Sequence, residues 1–407
     1  MIHSGGIVSH VIVVNRWRGP FADYAAYLDH TAHHVTYVTA EAGPVIPAGA
    51  AEVLVVDELY DYPAVRAALA PAIDRLGPPD LVVALHEANH PVAMALREEF
   101  DLPGLRAPDT HRFLDKHAML LAASATGVPV PEFALVSSRA ELDAFAAGVG
   151  WPLIAKRLYG GGSSGITRLE GPDQPFEVDS PLLVQRYLPY PVFHVDGWFT
   201  GEKLGPWLVS QYLNMPDSVT TGPLAFTLGE AVGSVEIDDP ALLGAVEAFL
   251  LKVIPGMCAE PWVFHLELFV TDAGEVVFLE VGRRPGGGEI PLVWREVHGI
   301  DLMELEFRLQ CGEVPEVPEF GPGERVTGQL LVPVTTPSPY RVTAAPSMAG
   351  TPGLYAEVVP EVGTVARNPV AYEFAGGRFR FAGDDTATVA AQVMDVAARF
   401  TLRCEPA

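Results

Sequence analysis

Two apolar runs, residues 264–270 and 276–281, flank Asp272-Ala273-Gly274. Runs rich in β-branched and aromatic residues on either side of such a turn read as a β-hairpin. With a symmetric two- or four-residue loop centred between 273 and 274, facing residues have numbers that sum to 547. Glu267 then faces Glu280, His265 faces Gly282, and Phe269 faces Phe278. Period-two alternation puts all six on one side. The other side (Phe264, Leu266, Leu268, Val277, Leu279 and Val281) is wholly apolar and belongs to a core. The first side carries two carboxylates across one ladder, with Cβ atoms about 4.5–5.5 Å apart. Such a pair is destabilising unless a cation lies between the two or one is protonated. Carboxylate oxygens suit a hard divalent ion, and magnesium completes its shell with water or phosphate. The alternative is two solvated glutamates on an exposed face; Phe269 and Phe278 beside them argue against it. A three- or five-residue loop would shift the register by one and weaken the pairing.

Arg283-Arg284-Pro285-Gly286-Gly287-Gly288 follows the second run. Arg284 falls on the side of Glu280 if the strand continues that far. A dication beside a fixed guanidinium is a place for phosphate. The glycines, Gly287 and Gly288 among them, let backbone approach a ligand closely. Glu289 is a candidate partner for a substrate ammonium, or else an exposed loop acid.

The 407 residues carry 51 acidic and 26 basic side chains, a formal net charge of −25. That balance argues against a nucleic-acid partner, whose phosphates demand clustered cations, and against docking on an anionic membrane surface. Only four of the basic residues are lysines: Lys116, Lys156, Lys203 and Lys252. Lys156 sits in an apolar strand, residues 152–157, and the glycine-rich stretch 160–165 begins four residues later. Its unhindered N–H groups can wrap phosphate oxygens. It is not the P-loop, because no G-K-[ST] ends it. Lys116 lies near the start of a helix read over 112–126, closed by Gly127. Two of four lysines thus fall beside candidate phosphate features.

Before residue 100, strands at 11–15, 34–39, 52–57 and 81–85 alternate with helices at 63–76 and 91–100. This is the pattern of a parallel sheet with crossover helices. Ligands gather beyond the carboxyl ends of such strands. Asn15-Arg16 and His86-Glu87 sit at such ends, and no G-x-G-x-x-G follows the first strand. Further on, Ser138…Glu141 is a capping box opening a helix over 140–147, and Asp239 caps a helix over 240–253. Strands are read at 132–136 and 182–188. Past Cys311 the chain is proline-rich, then strand-rich, then helical near 385–400. No eighteen-residue apolar run and no signal-like start are seen, and Cys258, Cys311 and Cys404 have no metal-like spacing. A cytoplasmic setting is expected. Trp198, Tyr212, Met215 and Trp294 are candidates for side-chain pockets or for core.

In order along the chain stand Leu114-Asp115-Lys116, Leu153-Ile154-Ala155-Lys156 with its glycine loop, and Leu183-Val184-Gln185-Arg186-Tyr187-Leu188. Phe264-His265-Leu266-Glu267 and Phe278-Leu279-Glu280-Val281-Gly282-Arg283-Arg284 complete the set. Over roughly residues 80–310 this order resembles the ATP-grasp superfamily, and within it carboxylate–amine ligases of the L-amino acid (dipeptide) ligase type. The resemblance implies an α/β fold with an α+β ligase core. Its expected parts are an N-terminal parallel α/β domain (1–110), a small lid subdomain with the glycine loop (111–186), a central subdomain with the metal-binding hairpin (187–315) and a strand-rich C-terminal segment (316–407).

It also implies roles. Lys116 and Lys156 hold ATP phosphates, and Gly160, Gly161, Gly162, Ser163 and Ser164 fold over them. Gln185, Arg186, Tyr187 and Leu188 form the hinge that meets adenine. Glu267 and Glu280 bind Mg2+, with Mn2+ as a possible substitute. Arg284 steadies the phosphoryl group. Small-molecule carboxylate and amine substrates are joined through an acyl phosphate, with release of ADP and phosphate; a homodimer is expected. Three positions depart from the pattern. The family's usual asparagine after the second glutamate is Gly282, with His265 or a water as a stand-in. The ribose-contacting segment is 190–196, leaving only His194 as a candidate. The first hinge position is Gln185 rather than glutamate. Rival readings are a nucleotide-binding protein without turnover, and a ligase with a non-amine acceptor such as a thiol.

Overall fold

In the structure, a computed structural model, strands β1 (His10–Asn15), β2 (His34–Thr39), β3 (Glu52–Val55) and β4 (Leu81–Val83) form a parallel sheet in the order β3-β2-β1-β4. The described residues are 8–407 without 18, 42, 44, 162–164, 214, 216–221, 317–324, 368–371 and 373–374, and without the side chains of 107–109. Every residue of β1 is buried, as a central parallel strand covered on both faces must be. Ile12 and Val14 pack on Val65 and Leu69 of helix Tyr62–Leu76 and on Val92 and Leu96 of helix His90–Glu99. Val11 and Val13 face a cluster that takes Met303 and Phe307 from helix Leu302–Gln310. Gln310 fastens that junction: its amide accepts from the Ala84 N–H and donates to the Ala84 carbonyl, both at 2.9 Å. The carboxyl ends of β1 and β4 are thereby held against the later half of the chain.

The helix expected over 112–126 is instead two, Ala107–Leu114 and Lys116–Ala125. Asp115 between them is extended, and its carboxylate accepts from the N–H groups of His117 and Ala118, each at 2.9 Å. An aspartate that satisfies two orphan donors starts a new helix rather than continuing the old one.

Strands β5 (Phe133–Val136), β6 (Leu153–Arg157), β7 (Ile166–Leu169) and β8 (Leu182–Arg186) form an antiparallel sheet ordered β5-β8-β6-β7. Helix Arg139–Val149 packs on it through Leu142 and Ala146, and Ser138 caps that helix by accepting from the Glu141 N–H. The remaining strands are β9 (Val192–Phe199), β10 (Leu204–Leu213), β11 (Val232–Glu236), β12 (Trp262–Val270), β13 (Val276–Gly282), β14 (Val326–Val332), β15 (Tyr340–Ala344), β16 (Leu354–Val358), β17 (Val365–Ala366), β18 (Gly377–Gly383) and β19 (Arg403–Pro406). β15, β17 and β19 make a small sheet; the others make an eight-stranded sheet ordered β13-β12-β9-β10-β11-β14-β18-β16. Helix Pro240–Met257 covers it, burying Val246, Phe249, Leu250, Val253, Ile254 and Met257 in the central core. With 18 residues and a mean hydropathy of 1.5 it is long and apolar enough to cross a membrane by length and composition, although Glu247 and Lys252 interrupt its apolar run. Here it buries one face, and Glu247 and Lys252 on the other are exposed. The three cysteines are free thiols.

The hairpin register departs from expectation near its turn. Glu267 faces Glu280 and His265 faces Gly282, but Leu268 faces Phe278, Phe269 faces Val277, and Val270 faces Val276. The loop is therefore residues 271–275, with Gly274 at φ 77° donating to the Thr271 carbonyl at 2.8 Å. Leu279 is the extra residue of a β-bulge, which restores the outer register. The expected Phe269–Phe278 pair does not form. Phe278 turns into the core with Val276, and Leu279 swings to the carboxylate side.

Candidate active site

A cavity of about 320 Å³ opens between the β5–β8 sheet and the β12–β13 edge of the large sheet. Its size is in the range of small-molecule pockets. One end has apolar walls: Ile154, Ile166, Leu224, Phe269 and Leu279, with Gln185, Arg186, Tyr187 and Leu188 beside them. The other end carries Lys116, Lys156, Gly160, Gly161, Glu267 and Glu280. Period-two alternation from Lys156 leads to Ile154, and from Glu267 to Phe269. Leu279 was hidden by the bulge, and Leu224 comes from a separate helix, Pro223–Thr227. Gly162, Ser163 and Ser164 lie outside the described residues.

Local structure aims the two lysines. Lys116 opens the helix capped by Asp115, and its ammonium donates to the Gly160 carbonyl. Its backbone N–H donates to the Leu158 carbonyl at 3.0 Å, so helix start and glycine loop are strapped together. Lys156, on β6, is buried. Burial lowers its pKa, the carboxylates of Glu280 and Glu267 oppose that, and the charge of Lys116 adds to it.

Glu267 accepts from the Tyr212 hydroxyl at 2.9 Å, and its Oε1 lies 3.8 Å from His265 Nε2. Behind it Asp196, on β9, takes both imidazoles: His194 Nδ1 at 2.7 Å and His265 Nδ1 at 2.8 Å. Burial alone would raise the Asp196 pKa. The charge of His265 and the two hydrogen bonds overcome it and hold the carboxyl well below the usual range. His265 mirrors this: burial would lower it, but Asp196 and Glu267 raise it to about 9. His265 stands across from Gly282 as expected, yet its ring is bonded to Asp196 rather than offered to the gap. His194 is corrected too. It does not line the cavity; its ring sits 4.9 Å from that of Tyr212, and its Nδ1 is spent on Asp196. Sequence reading missed Asp196, because only the pairing of β9 with the distant β12 sets it beside His265. Glu280 lines the cavity half-buried and makes no hydrogen bond among the described residues. Two facing carboxylates, one with its oxygens unspent, form an oxygen donor set that fits a hard dication.

Arg284 does not line this cavity. Its Nε donates to Glu87 Oε2 at 3.1 Å, just after the carboxyl end of β4. A Cβ at Gly282 would lie 3.3 Å from Arg284 Cγ and 3.4 Å from Glu87 Oε1, so the glycine leaves room for this ion pair. A Cβ at Gly161 would lie 3.9 Å from Glu87 Oε2. Glu87 and Arg284 therefore stand between the glycine loop and the β13 edge. Gly287 faces the Tyr372 ring, and Gly288, at φ 63°, abuts the Gln329 amide oxygen. Glu289 is not presented to a substrate. It is 0% exposed, pairs with Arg378 at 3.3 Å and Arg380 at 3.2 Å on β18, and donates its N–H to Gln329. Of the pocket candidates, Trp198, Trp294 and Met215 are core, and Tyr212 is the hydrogen-bond partner of Glu267.

No protein-family model matches the chain. An L-arginine-specific L-amino acid ligase of Bacillus subtilis is 23% identical to it over 303 residues, 69% of either chain. The crystal structure of an L-amino acid ligase from Bacillus licheniformis superposes with a TM-score of 0.74 at 14% identity, covering 98% of this chain and 99% of that one. A carboxyaminoimidazole ribonucleotide synthase from Aspergillus clavatus, solved with ATP, gives 0.69 at 14% identity over 97% and 99%.

Proposed function

We infer that this chain, whose fold is that of the ATP-grasp ligases, is an ATP-dependent carboxylate–amine ligase that joins amino acids. The observation that carries the reading is the meeting, in one cavity, of the facing Glu267 and Glu280 with Lys116, Lys156 and the glycine loop. Adenine is assigned to the apolar end beside Gln185 and Leu188. The phosphates are assigned to Lys116, Lys156 and the N–H groups of Gly160 and Gly161. Glu267 and Glu280 are the residues that would hold Mg2+, which when bound neutralises phosphate charge. Tyr212, His265 and Asp196 fix the Glu267 carboxylate, so little reorganisation is needed when charge develops.

In this reading a substrate carboxylate attacks the γ-phosphorus of ATP at the end of the cavity nearest Glu87 and Arg284. The bond to ADP breaks and an acyl phosphate forms. An amine then attacks the acyl carbon, phosphate leaves, and the amine gives up a proton as the amide forms. The chain supplies position and charge, which is most of what phosphoryl transfer requires. Closure of the glycine loop keeps water from the acyl phosphate. The test is a matrix of amino-acid pairs with Mg-ATP, read by phosphate release and product mass. Release that needs two amino acids, with a product of their joint mass less water, is expected. Nucleotide binding without phosphate release for any acceptor would overturn the ligase reading in favour of a non-catalytic nucleotide binder.

A further inference from the structure

β1 and β4 pair in parallel with partners seventy residues apart: Val11 with Leu81, Ile12 with Val82, Val13 with Val83. Extended past the strand ends, that register sets Arg16 beside His86 and Trp17 beside Glu87. The ring contact is one position off that strict register but keeps the same neighbourhood, the Trp17 indole meeting the His86 imidazole edge-on with centroids 5.4 Å apart. The Arg16 guanidinium lies over the Tyr60 ring, 5.6 Å from its centroid. A cation–π contact occupies one face of the guanidinium and leaves its five edge N–H donors. Among the described residues those donors make no hydrogen bond or ion pair. Arg284, close by, is answered by Glu87. A half-buried cation without an ion-pair partner among the described residues is conspicuous in a chain with about twice as many acids as bases.

His86 completes the place. Burial and then the charges of Arg16 and Arg284 push its pKa well below the usual imidazole value. Its Nδ1 accepts from the Ala88 N–H at 3.2 Å, so the proton of the neutral ring is on Nε2, a donor. A guanidinium with no hydrogen bond or ion pair among the described residues and an imidazole donor therefore stand together beyond the carboxyl ends of two adjacent parallel strands, where such sheets bind ligands.

We propose that Arg16 and His86 seat a carboxylate of the amine-bearing substrate, with Trp17 as its wall. The proposal rests on the ligase reading. There the donor carboxylate ends on phosphorus and then in the amide, near Arg284. The acceptor's own carboxylate stays ionised throughout and needs a cation of its own.

The experiment compares, in the wild-type protein, an amino acid that serves as acceptor with its primary amide and with its decarboxylated amine. Both analogues can enter only as acceptors. Each is expected to lose roughly tenfold to a hundredfold in kcat/KM, the factor that charge-assisted hydrogen bonds are worth. In Arg16→Gln the acceptor KM rises by a similar factor, the ATP KM stays, and acid and amide converge; Arg16→Lys recovers part of the difference. Equal use of acid and amide by the wild type, or an unchanged acceptor KM in Arg16→Gln, overturns the carboxylate seat and leaves the ligase reading standing. If no amino-acid pair is turned over, the ligase reading fails. The seat is then judged by calorimetric titration of glycine and glycinamide into the ADP–Mg2+ protein. Tighter binding of glycine that Arg16→Gln removes sustains it, and equal or absent binding overturns it.

Discussion

At the end of the cleft assigned to nucleotide, the two carboxylates come from one hairpin, Glu267 on β12 and Glu280 on β13, and Lys156 meets them from β6 of the other sheet. The end near Glu87 joins groups that are remote in the chain. Arg284 reaches Glu87 across 197 residues, and Arg378 reaches Glu289 across 89. The energetics differ in step. At the nucleotide end Glu280 makes no hydrogen bond among the described residues, and Lys156 is buried with its charge opposed by that burial. These groups are held ready for something outside the chain. At the far end the ion pairs answer each other and hold segments together. Substitutions at the first end should cost function and spare stability; at Glu289, whose pairs with Arg378 and Arg380 lie outside the cavity, they should do the reverse.

Glu280→Gln is the strongest test of that contrast. Turnover should fall by at least about a hundredfold, the scale on which removing one electrostatic contact to the transition state acts. Mg-nucleotide affinity should fall with it, while the thermal midpoint holds. Normal turnover would end the metal assignment, and a large loss of stability would end the contrast. Lys156→Ala comes next. The ATP KM should rise about tenfold to a hundredfold, the value of hydrogen bonds to a charged group. Folding should not suffer, since burial already disfavours the ammonium. Unchanged ATP kinetics would remove Lys156 from the site.

Glu289→Gln probes the other end. It leaves Arg378 and Arg380 without their buried carboxylate. Breaking a buried pair costs about 3–5 kcal/mol, and the partial exposure of the arginines brings this nearer to about 2 kcal/mol. Chemical denaturation should show that loss, with ATP KM nearly unchanged. A variant as stable as the wild type would mean that these ion pairs hold nothing together.

How far each end could be read beforehand follows from the same difference. Alternation and spacing made the facing glutamates and the strand lysine legible, while the hinge role of Gln185–Leu188 came from the resemblance alone. The Glu267–Glu280 pairing nevertheless came out through two departures that cancel, a five-residue turn and the bulge at Leu279. Periodicity detects neither, and so Phe278 and Leu279 were assigned to each other's faces. The surroundings of His194, His265 and Glu289 were not legible for another reason. Their partners, Asp196, Arg378 and Arg380, reach them only through strand pairing and packing that no local pattern encodes. The N-terminal sheet was legible because β1 and β4 carry the continuous apolar runs of buried parallel strands, and β2 and the half-exposed edge strand β3 are still rich in β-branched residues.

Asp115 is where folding and site meet, and it predicts the smallest effect. The helix reading ran through it because nothing in the apolar periodicity of 112–126 breaks there. In the structure its carboxylate takes two helix N–H groups, which aims Lys116 at Gly160. Asp115→Ala should therefore cost about 1 kcal/mol of stability, the usual worth of an N-cap. With Lys116 less well aimed, the ATP KM should rise by a smaller factor than in Lys156→Ala. Asparagine is an equally good N-cap, so Asp115→Asn should restore most of both. Urea unfolding and ATP titration of the two variants decide it. If alanine and asparagine behave alike, the cap is not what positions Lys116, and the strap between helix start and glycine loop must be maintained by the Leu158 contact alone.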